Sequence, residues 1–220
     1  DLLLLDNTML PGRPHRSAMR DNMLPLEKNG EKIHAGFWQR FGAIWIDLIV
    51  MLPFMLLFMY LDGLHRTVKF ATVVPFTLFF WAYRIYFHAR WGATLGKMAT
   101  GVKITRVDGS PIGYTEALKR FAVDAVLAVG MIAAQLFAIS GMTDAEFDAL
   151  AWRERTQHLA TLMPVWYKPL TYLRQAWFWS EFIVLLSNKR RRALHDFIAG
   201  TVVIKKKDAR QNKADHPQPH

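Results

Sequence analysis

The chain has 220 residues, with 28 Lys and Arg against 18 Asp and Glu, so its formal net charge is +10. Its residues are 52% hydrophobic, which excludes an intrinsically disordered protein. Because the chain has no cysteine, a disulfide scaffold, an iron–sulfur protein and a cysteine-ligated zinc site are excluded as well. Whether the net charge indicates a nucleic-acid-binding protein depends on where the cations lie.

Three long apolar runs predict membrane-spanning helices. The first, 41–61, contains one charged residue, Asp47, and the second, 70–87, contains only Arg84. A third span is predicted over 119–142, where the residues from 121 onward include only Asp124. At about 1.5 Å per residue, 20 residues in a helix span roughly 30 Å, the thickness of a bilayer core. None of these runs has a polar face for water, so a polytopic membrane protein is predicted.

A fourth apolar segment covers 170–187 and is interrupted by Arg174 and Glu181. It is either a fourth span or an interfacial hairpin, and Trp177 and Trp179 suit the level of the lipid headgroups. The distribution of Lys and Arg favours a membrane span over an interfacial hairpin. Six lie in 1–40, two in 62–69, seven in 84–120, four in 142–174 and nine in 188–220. Since cytoplasmic loops are enriched in cations, this alternation predicts four spans with both termini in the cytoplasm.

The regions around the spans have distinct compositions. We expect a loosely ordered cytoplasmic arm over 1–34, a transmembrane domain over 35–204, an extracytoplasmic segment over 142–169 and a basic disordered tail over 205–220. The basic run at 189–192 directly follows the fourth span. It is typical of an anchor against anionic lipid at the cytoplasmic face, so no nucleic-acid partner is expected.

Two short segments on the cytoplasmic side have strand-like sequences. Residues 101–107 alternate between apolar and polar types and end at a turn cluster, 108–111. Residues 200–205 form a second β-type run after the fourth span. The two are predicted to pair in a small ribbon that ties the second, third and fourth spans together.

A glycine-containing loop precedes the first strand and includes Gly92, Thr94, Gly96 and Lys97. A phosphate-binding loop needs four residues between its glycines and Ser or Thr after the Lys. Here three residues separate the glycines, and Met98 follows the Lys. We therefore interpret the glycines as permitting tight turns where the second span leaves the membrane.

These segments together resemble the RDD family of membrane proteins, which is named for one Arg and two Asp. The resemblance is carried by FWQRF at 37–41, GATLGKM at 92–98, the strand at 101–109 and ALHDFIAGTV at 193–202. It implies that Arg40, Asp47 and Asp196 are the family-signature residues, with Asp124 as the alternative for the second Asp. The biochemical role of the family is mostly unassigned, and cation/proton antiport is proposed for some members.

Three acids, Asp47, Asp124 and Glu181, are predicted at similar depths in the cytoplasmic half of the membrane. With three arginines they form a predicted charge layer: Arg40, Asp47, Arg84, Arg120, Asp124 and Glu181. Spacings of seven place Arg40 with Asp47, and Arg174 with Glu181, on common helical faces. A spacing of four allows Arg120 to contact Asp124 directly. The layer either neutralises itself and fixes the packing of the bundle, or contains an acid that takes up and releases a cation or proton.

We expect an all-α, four-helix membrane bundle with a small cytoplasmic β-ribbon, located in a bacterial inner membrane. The sequence contains no Ser–His–Asp arrangement and no dinucleotide loop, so we expect no enzyme, no metal and no cofactor. The function is predicted to be transport of a monovalent cation or proton through the acidic layer. The alternative is a non-catalytic accessory or scaffold subunit. The expected partners are the lipid bilayer and either further copies of the chain or other membrane protein subunits.

Overall fold

The computed structural model describes residue 24, residues 27–28 and residues 31–206, and this part of the chain is mostly helical. Its elements follow in the order β1 (Glu27–Lys28), β2 (Glu31–Lys32), α1 (Phe37–Leu64), α2 (Arg66–Trp91), α3 (Leu95–Ala99), β3 (Val102–Arg106), α4 (Tyr114–Ser140), α5 (Asp144–Ala149), α6 (Trp152–Thr161), α7 (Tyr167–Ser187), α8 (Leu194–Ile198) and β4 (Thr201–Lys205).

Three of the helices, α1, α2 and α4, are long and apolar enough to cross a membrane. They contain 28, 26 and 27 residues and include the three apolar runs of the sequence. In their most apolar windows only 6%, 6% and 22% of the residues are buried inside the protein. Since large apolar faces do not remain in contact with water, these helices face lipid, and the predicted membrane location is confirmed.

The fourth predicted span coincides with α7, a helix of 21 residues. By length and composition together, α7 is not one of the candidate spans found in the described part of the chain. It packs closely against α4, because a Cβ at Gly130 would lie 2.7 Å from a methyl group of Leu170. The structure thus confirms three candidate spans and a fourth long helix beside them.

The predicted ribbon is present as the antiparallel pair β3–β4, in which Val102 lies opposite Lys205 and Arg106 opposite Thr201. Its apolar side chains are almost completely buried, including Ile104 and Val202. The ribbon lies where α2 ends and α4 begins, and where α7 leads through α8 to β4. We call this end of the bundle the sheet end.

The last residues of the predicted arm are more ordered than expected. Glu27–Lys28 and Glu31–Lys32 form a second antiparallel pair. The backbone at Ile33 and Ala35 then hydrogen-bonds to β4, with Lys205 N–H donating to Ile33 O at 3.0 Å and Ala35 N–H donating to Val203 O at 2.9 Å. Burial of Ile33 against the ribbon explains this order. The arm before residue 24 and the tail from 207 lie outside the described residues.

The predicted extracytoplasmic segment, 142–169, contains the two short helices α5 and α6. Phe147 and Leu159 pack with Val73 and Ile139 in a buried apolar cluster that closes the far end of α2 and α4. The Arg155 guanidinium lies 3.8 Å from the centre of the Phe147 ring and donates to Gly63 O at 3.0 Å. We call this end the cap end.

Candidate functional site: buried charges at the sheet end

Asp196 joins three helices at the sheet end. It is the third residue of α8, where its Oδ2 accepts a hydrogen bond from Ala193 N–H at 3.0 Å and so caps the helix. The same oxygen lies 3.0 Å from Arg40 Nη1 of α1, while Oδ1 pairs with Arg120 Nη1 of α4. The carboxylate is 0% exposed. Burial alone would raise the pKa of Asp196, but the positive charges of Arg120 and Arg40 hold it well below its ordinary value.

Arg40 does not face Asp47 as the spacing of seven predicts. Its second terminal nitrogen donates to Arg191 O at 2.6 Å, so both terminal nitrogens of the guanidinium link α1 to α8 and the segment before it. Arg40 and Asp196, two of the residues that the resemblance predicts as the family signature, are therefore direct partners. Asp47 lies apart from them in a separate contact.

Asp47 accepts three hydrogen bonds from neighbouring elements. Tyr83 Oη of α2 donates to Oδ1 at 2.9 Å and Gly96 N–H of α3 donates to the same oxygen at 2.7 Å. Thr94 Oγ1 donates to Oδ2 at 2.6 Å. A carboxylate with three donors holds α3 against α1 and α2, which is a structural arrangement.

The glycine-containing loop serves this contact. Gly92 has a φ of 68°, the left-handed conformation that ends α2 and reverses the chain. At Gly96 a Cβ would overlap the carbonyl oxygen of Ala43 and lie 2.8 Å from the Asp47 nitrogen. The interpretation of the glycines as turn residues thus applies to Gly92, whereas Gly96 permits the close approach of two helices.

The last member of this loop, Lys97, lies beside His88 of α2. Its Nζ is 3.1 Å from His88 Nε2, and among the described residues no carboxylate is within salt-bridge distance of it. Burial, together with the positive charges of Arg120 and Arg84, lowers the pKa of Lys97 to about 7. This pair could not be predicted from the sequence, because no sequence pattern indicates contact between a Lys and a His nine residues apart across a turn.

Asp124 is the most open of the ion-paired acids at the sheet end. Its Oδ2 lies 3.2 Å from Arg84 Nη1 of α2, and its Oδ1 accepts a hydrogen bond from Trp177 Nε1 of α7 at 3.0 Å. The side chain is 33% exposed, against 15% for Glu181 and 0% for Asp196. The predicted contact between Arg120 and Asp124 is wrong, since Arg120 turns to Asp196 instead.

Glu181 links α7 to α8. Its Oε1 accepts a hydrogen bond from His195 N–H at 3.1 Å, and its Oε2 pairs with His195 Nδ1. Burial and the nearby charge of Arg120 lower the pKa of His195. Glu181 therefore has His195 as its partner, and the predicted pairing with Arg174 is wrong. Arg174 instead lines a cavity.

This cavity, of about 430 Å³, lies between α2, α4 and α7. Its walls are mostly apolar, with four polar residues among them: Phe76, Thr77, Phe80, Ala128, Met131, Ile132, Gln135, Met163, Tyr167 and Arg174. Three lining residues lie one helical turn closer to the cap end than the residues of the Asp124 contact. On α2 this is Phe80 relative to Arg84, on α4 Ala128 relative to Asp124, and on α7 Arg174 relative to Trp177. The contact around Asp124 thus lies next to the inner end of the cavity.

The predicted charge layer is in this way divided into separate contacts around Asp47 and Asp124 and a third around Asp196 and Glu181, which His195 joins, since its Nε2 lies 3.7 Å from Asp196 Oδ1. In the described residues no group of three or more His, Cys, Asp or Glu is placed to hold a metal ion. The contacts that involve α3 and α8 could not be assigned from sequence, because helical spacing identifies a face but not the element that packs on it.

Comparison with known proteins gives one match. No curated protein and no solved structure shows significant similarity to the chain. The model of the RDD family matches residues 34–200, which include the contacts of Asp47, Asp124, Glu181 and Asp196 described above. The match covers most of the chain, so this membrane protein belongs to the RDD family.

Proposed function

We propose that the protein is a non-enzymatic membrane transporter in which Asp124 takes up and releases a proton. The observation that carries the proposal is the position of Asp124 on α4, one helical turn beyond Ala128, which lines a cavity of about 430 Å³. Ionisable groups inside membranes usually face a partner or a water-filled space; Asp124 has Arg84 as its partner, and its side chain is 33% exposed. The cation/proton antiport proposed for other RDD proteins is consistent with this assignment.

The proposed topology has four spans: α1, α2, α4 and α7. In this topology the sheet end lies on the cytoplasmic side of a bacterial inner membrane, and both termini are on that side. Support comes from the cations, which are abundant in the segments at the sheet end and sparse at the cap end. The basic residues after α7, including Lys189 and Arg190, then lie against anionic lipid at the cytoplasmic face.

Asp124 is preferred over the other acids because of its bonding. Asp47 accepts three hydrogen bonds, and Asp196 is fully buried between two guanidinium groups. Protonation of either would break several contacts that hold helices together. Asp124 has one ion pair and one indole donor, and its side chain is partly exposed. It can lose its charge at a smaller cost to the fold.

Proton uptake by Asp124 changes its ion pair with Arg84. When Asp124 is ionised, Arg84 is paired across α2 and α4 at 3.2 Å. When Asp124 is protonated, the pair loses its attraction and the guanidinium of Arg84 becomes available to another anion. Proton uptake and a change in contact between α2 and α4 are in this way coupled.

Proton movement in proteoliposomes tests the proposal. Wild-type protein is reconstituted with a pH-sensitive dye inside the vesicles, and an imposed pH gradient is followed as it collapses. Asp124→Asn keeps the shape and the indole acceptor but cannot ionise, so we expect its flux to fall to that of empty liposomes. Asp144→Asn at the exposed pair with Arg66 is the matched control and keeps wild-type flux. Equal flux in wild type and Asp124→Asn would refute the proposal.

An accessory role is the second candidate, and the exposed aromatic side chains of the cap end favour it. Trp152 is 64% exposed and Trp166 46% exposed. Such residues are typical of lipid headgroup regions and of protein interfaces. Light scattering of the purified protein separates the two functions. A stoichiometric different subunit supports the accessory role, while a homo-oligomer supports transport, since four helices enclose little space.

A further inference from the structure

The cavity between α2, α4 and α7 has the composition of a ligand site. Its volume of about 430 Å³ is within the range of small-molecule pockets, roughly 300–1,000 Å³. Six of its ten lining residues are apolar, and the aromatic rings of Phe76 and Phe80 are among them. Such walls favour an apolar body, while a few polar groups orient it.

The charge of the lining is positive. Arg174 is the one charged residue in it, beside the uncharged polar residues Thr77, Gln135 and Tyr167. Within the part of the chain that the structure describes, the Arg174 guanidinium makes no ion pair. Arg174 is an exposed side chain at the end of this lining, and a guanidinium next to apolar groups binds carboxylate or phosphate oxygens in preference to neutral groups.

One helical turn beyond the lining, toward the sheet end, lies a second guanidinium, that of Arg84. Arg84 follows Phe80 by one turn on α2, as Trp177 follows Arg174 on α7. Arg84 is 46% exposed and is held by Asp124 alone among the described acids. An anion that enters from the cap end therefore meets Arg174 first and the Arg84–Asp124 pair next.

We propose that this cavity binds an amphiphilic monoanion, with its carboxylate or phosphodiester head at Arg174 and its apolar tail against the aromatic and aliphatic wall. The same cavity adjoins the acid of the proposed transporter, so naming this anion as the transported substrate rests on the proposed function. Binding itself is measurable without transport.

The Arg84–Asp124 ion pair lies one turn beyond the lining and contributes one charge of each sign there. The other charged or titratable groups around this region are the following: His88 on α2, Lys97 on α3, Arg120 on α4, and Arg174 and Glu181 on α7. Of these, Arg120 is held by Asp196 and Glu181 by His195.

Calorimetric titration of delipidated full-length protein in neutral detergent tests the proposal. The probes are octanoate, octanol as its uncharged counterpart, and dihexanoyl phosphatidylglycerol as a lipid-headed anion. We expect an anionic probe to bind at least about tenfold more tightly than octanol at neutral pH, where octanoate is ionised. Arg174→Gln should weaken its binding about 10- to 100-fold, the usual effect of losing one charge-assisted contact.

Two further variants separate loss of the site from loss of the fold. Ala128→Phe fills the cavity without changing its charge and should abolish binding, while its melting temperature shows that the protein is folded. Lys168→Gln removes an exposed cation from the same helix, outside the lining, and should bind as wild type does. Stronger binding of octanoate than of the lipid probe identifies a free carboxylate, and the reverse order identifies a membrane phospholipid.

Equal affinity of wild type and Arg174→Gln for every anionic probe would overturn the proposal, as would octanol binding as tightly as octanoate. The flux experiment is independent of this one. Arg174-dependent binding without proton flux supports the site and removes the transporter, whereas proton flux without anion binding removes the site and leaves the transporter.

Discussion

The carboxylates of Asp196 and Asp47 make contacts that stabilise the fold. Asp196 receives two guanidinium groups, a backbone N–H and the hydroxyl of Thr201, and these come from four segments of the chain. Such a buried charge is tolerated only while its partners remain, because an unpaired charge in an apolar interior is costly. These two Asp, which the family resemblance predicts as signature residues, thus account for the packing of α1, α3 and α8, while the candidate for function is a third acid, Asp124.

Removal of the Asp196 charge should destabilise the protein severely. In Asp196→Asn the guanidinium groups of Arg40 and Arg120 lose their common counter-ion, and we expect a loss of about 3–5 kcal/mol in the free energy of unfolding. Thermal unfolding in detergent measures it. Asp144→Asn, at the exposed pair with Arg66, is the control and should change the melting temperature little. Equal melting temperatures of the two variants would contradict the structural role of Asp196.

Lys97 should make stability depend on pH. Its pKa is lowered from 10.5 to about 7, first by burial and then by Arg120 and Arg84. Between pH 7 and 10.5 the unfolded chain therefore binds more protons than the folded chain, so stability rises with pH across this window. Below pH 7 the cost of charging the buried amine is present in full.

The variant Lys97→Met removes this titration. We expect the melting temperature of the wild type, measured relative to that of Lys97→Met, to increase steadily from about pH 7 to about pH 9. Lys168→Met, on the exposed face of α7, should keep the wild-type profile. Parallel pH profiles for the wild type and Lys97→Met would show that the amine is not buried in this way.

At the scale of elements, α3 is the piece that determines how the sheet end is assembled. Only five residues long, it is held against α1 by Asp47 and against α2 through Tyr83, whose hydroxyl accepts Leu95 N–H at 3.1 Å. Gly96 permits this contact, because any side chain there would meet the α1 backbone. The position of β3, and with it the ribbon, follows from α3.

Substitution of Gly96 tests this contact. In Gly96→Ala the added methyl group overlaps Ala43 O, so α3 must move away from Asp47, and we expect a loss of about 1–3 kcal/mol as in other overpacked sites. Gly63→Ala is the matched control, since a Cβ at Gly63 has no neighbour within 4 Å. The control should be neutral or gain up to about 1 kcal/mol from helix propensity. Equal stability of the two variants would contradict the packing of α3.

Long apolar helices and the ribbon could be predicted from sequence because their signals are local. Hydropathy located α1, α2 and α4, and the alternation of 101–107 and 200–205 located β3 and β4. The Asn-Gly pair in the sequence between Glu27–Lys28 and Glu31–Lys32 was an unused hairpin signal. The partners of the acids could not be predicted, since Arg40 and Asp196 are separated by 156 residues and only the tertiary fold brings them together.

At the scale of the whole molecule, the two ends of the bundle differ in chemistry. The sheet end contains the buried ion pairs of Asp196, whereas the interhelical pairs of the cap end, Arg66–Asp144 and Lys69–Asp62, are more exposed and accompany an apolar cluster around Phe147. The cavity ends one helical turn short of the Arg84–Asp124 pair. Asp47 and Asp196 therefore stabilise the fold, and Asp124 is the residue that we propose exchanges protons.

Carbodiimide labelling tests that division most directly. A hydrophobic carbodiimide reacts with protonated carboxyl groups in membranes, and peptide mass spectrometry identifies the modified residue. We expect labelling of Asp124 that increases as the pH falls and that octanoate reduces, with Asp47 and Asp196 unmodified in the folded protein. Labelling of Asp47 with Asp124 unmodified at every pH would contradict the account.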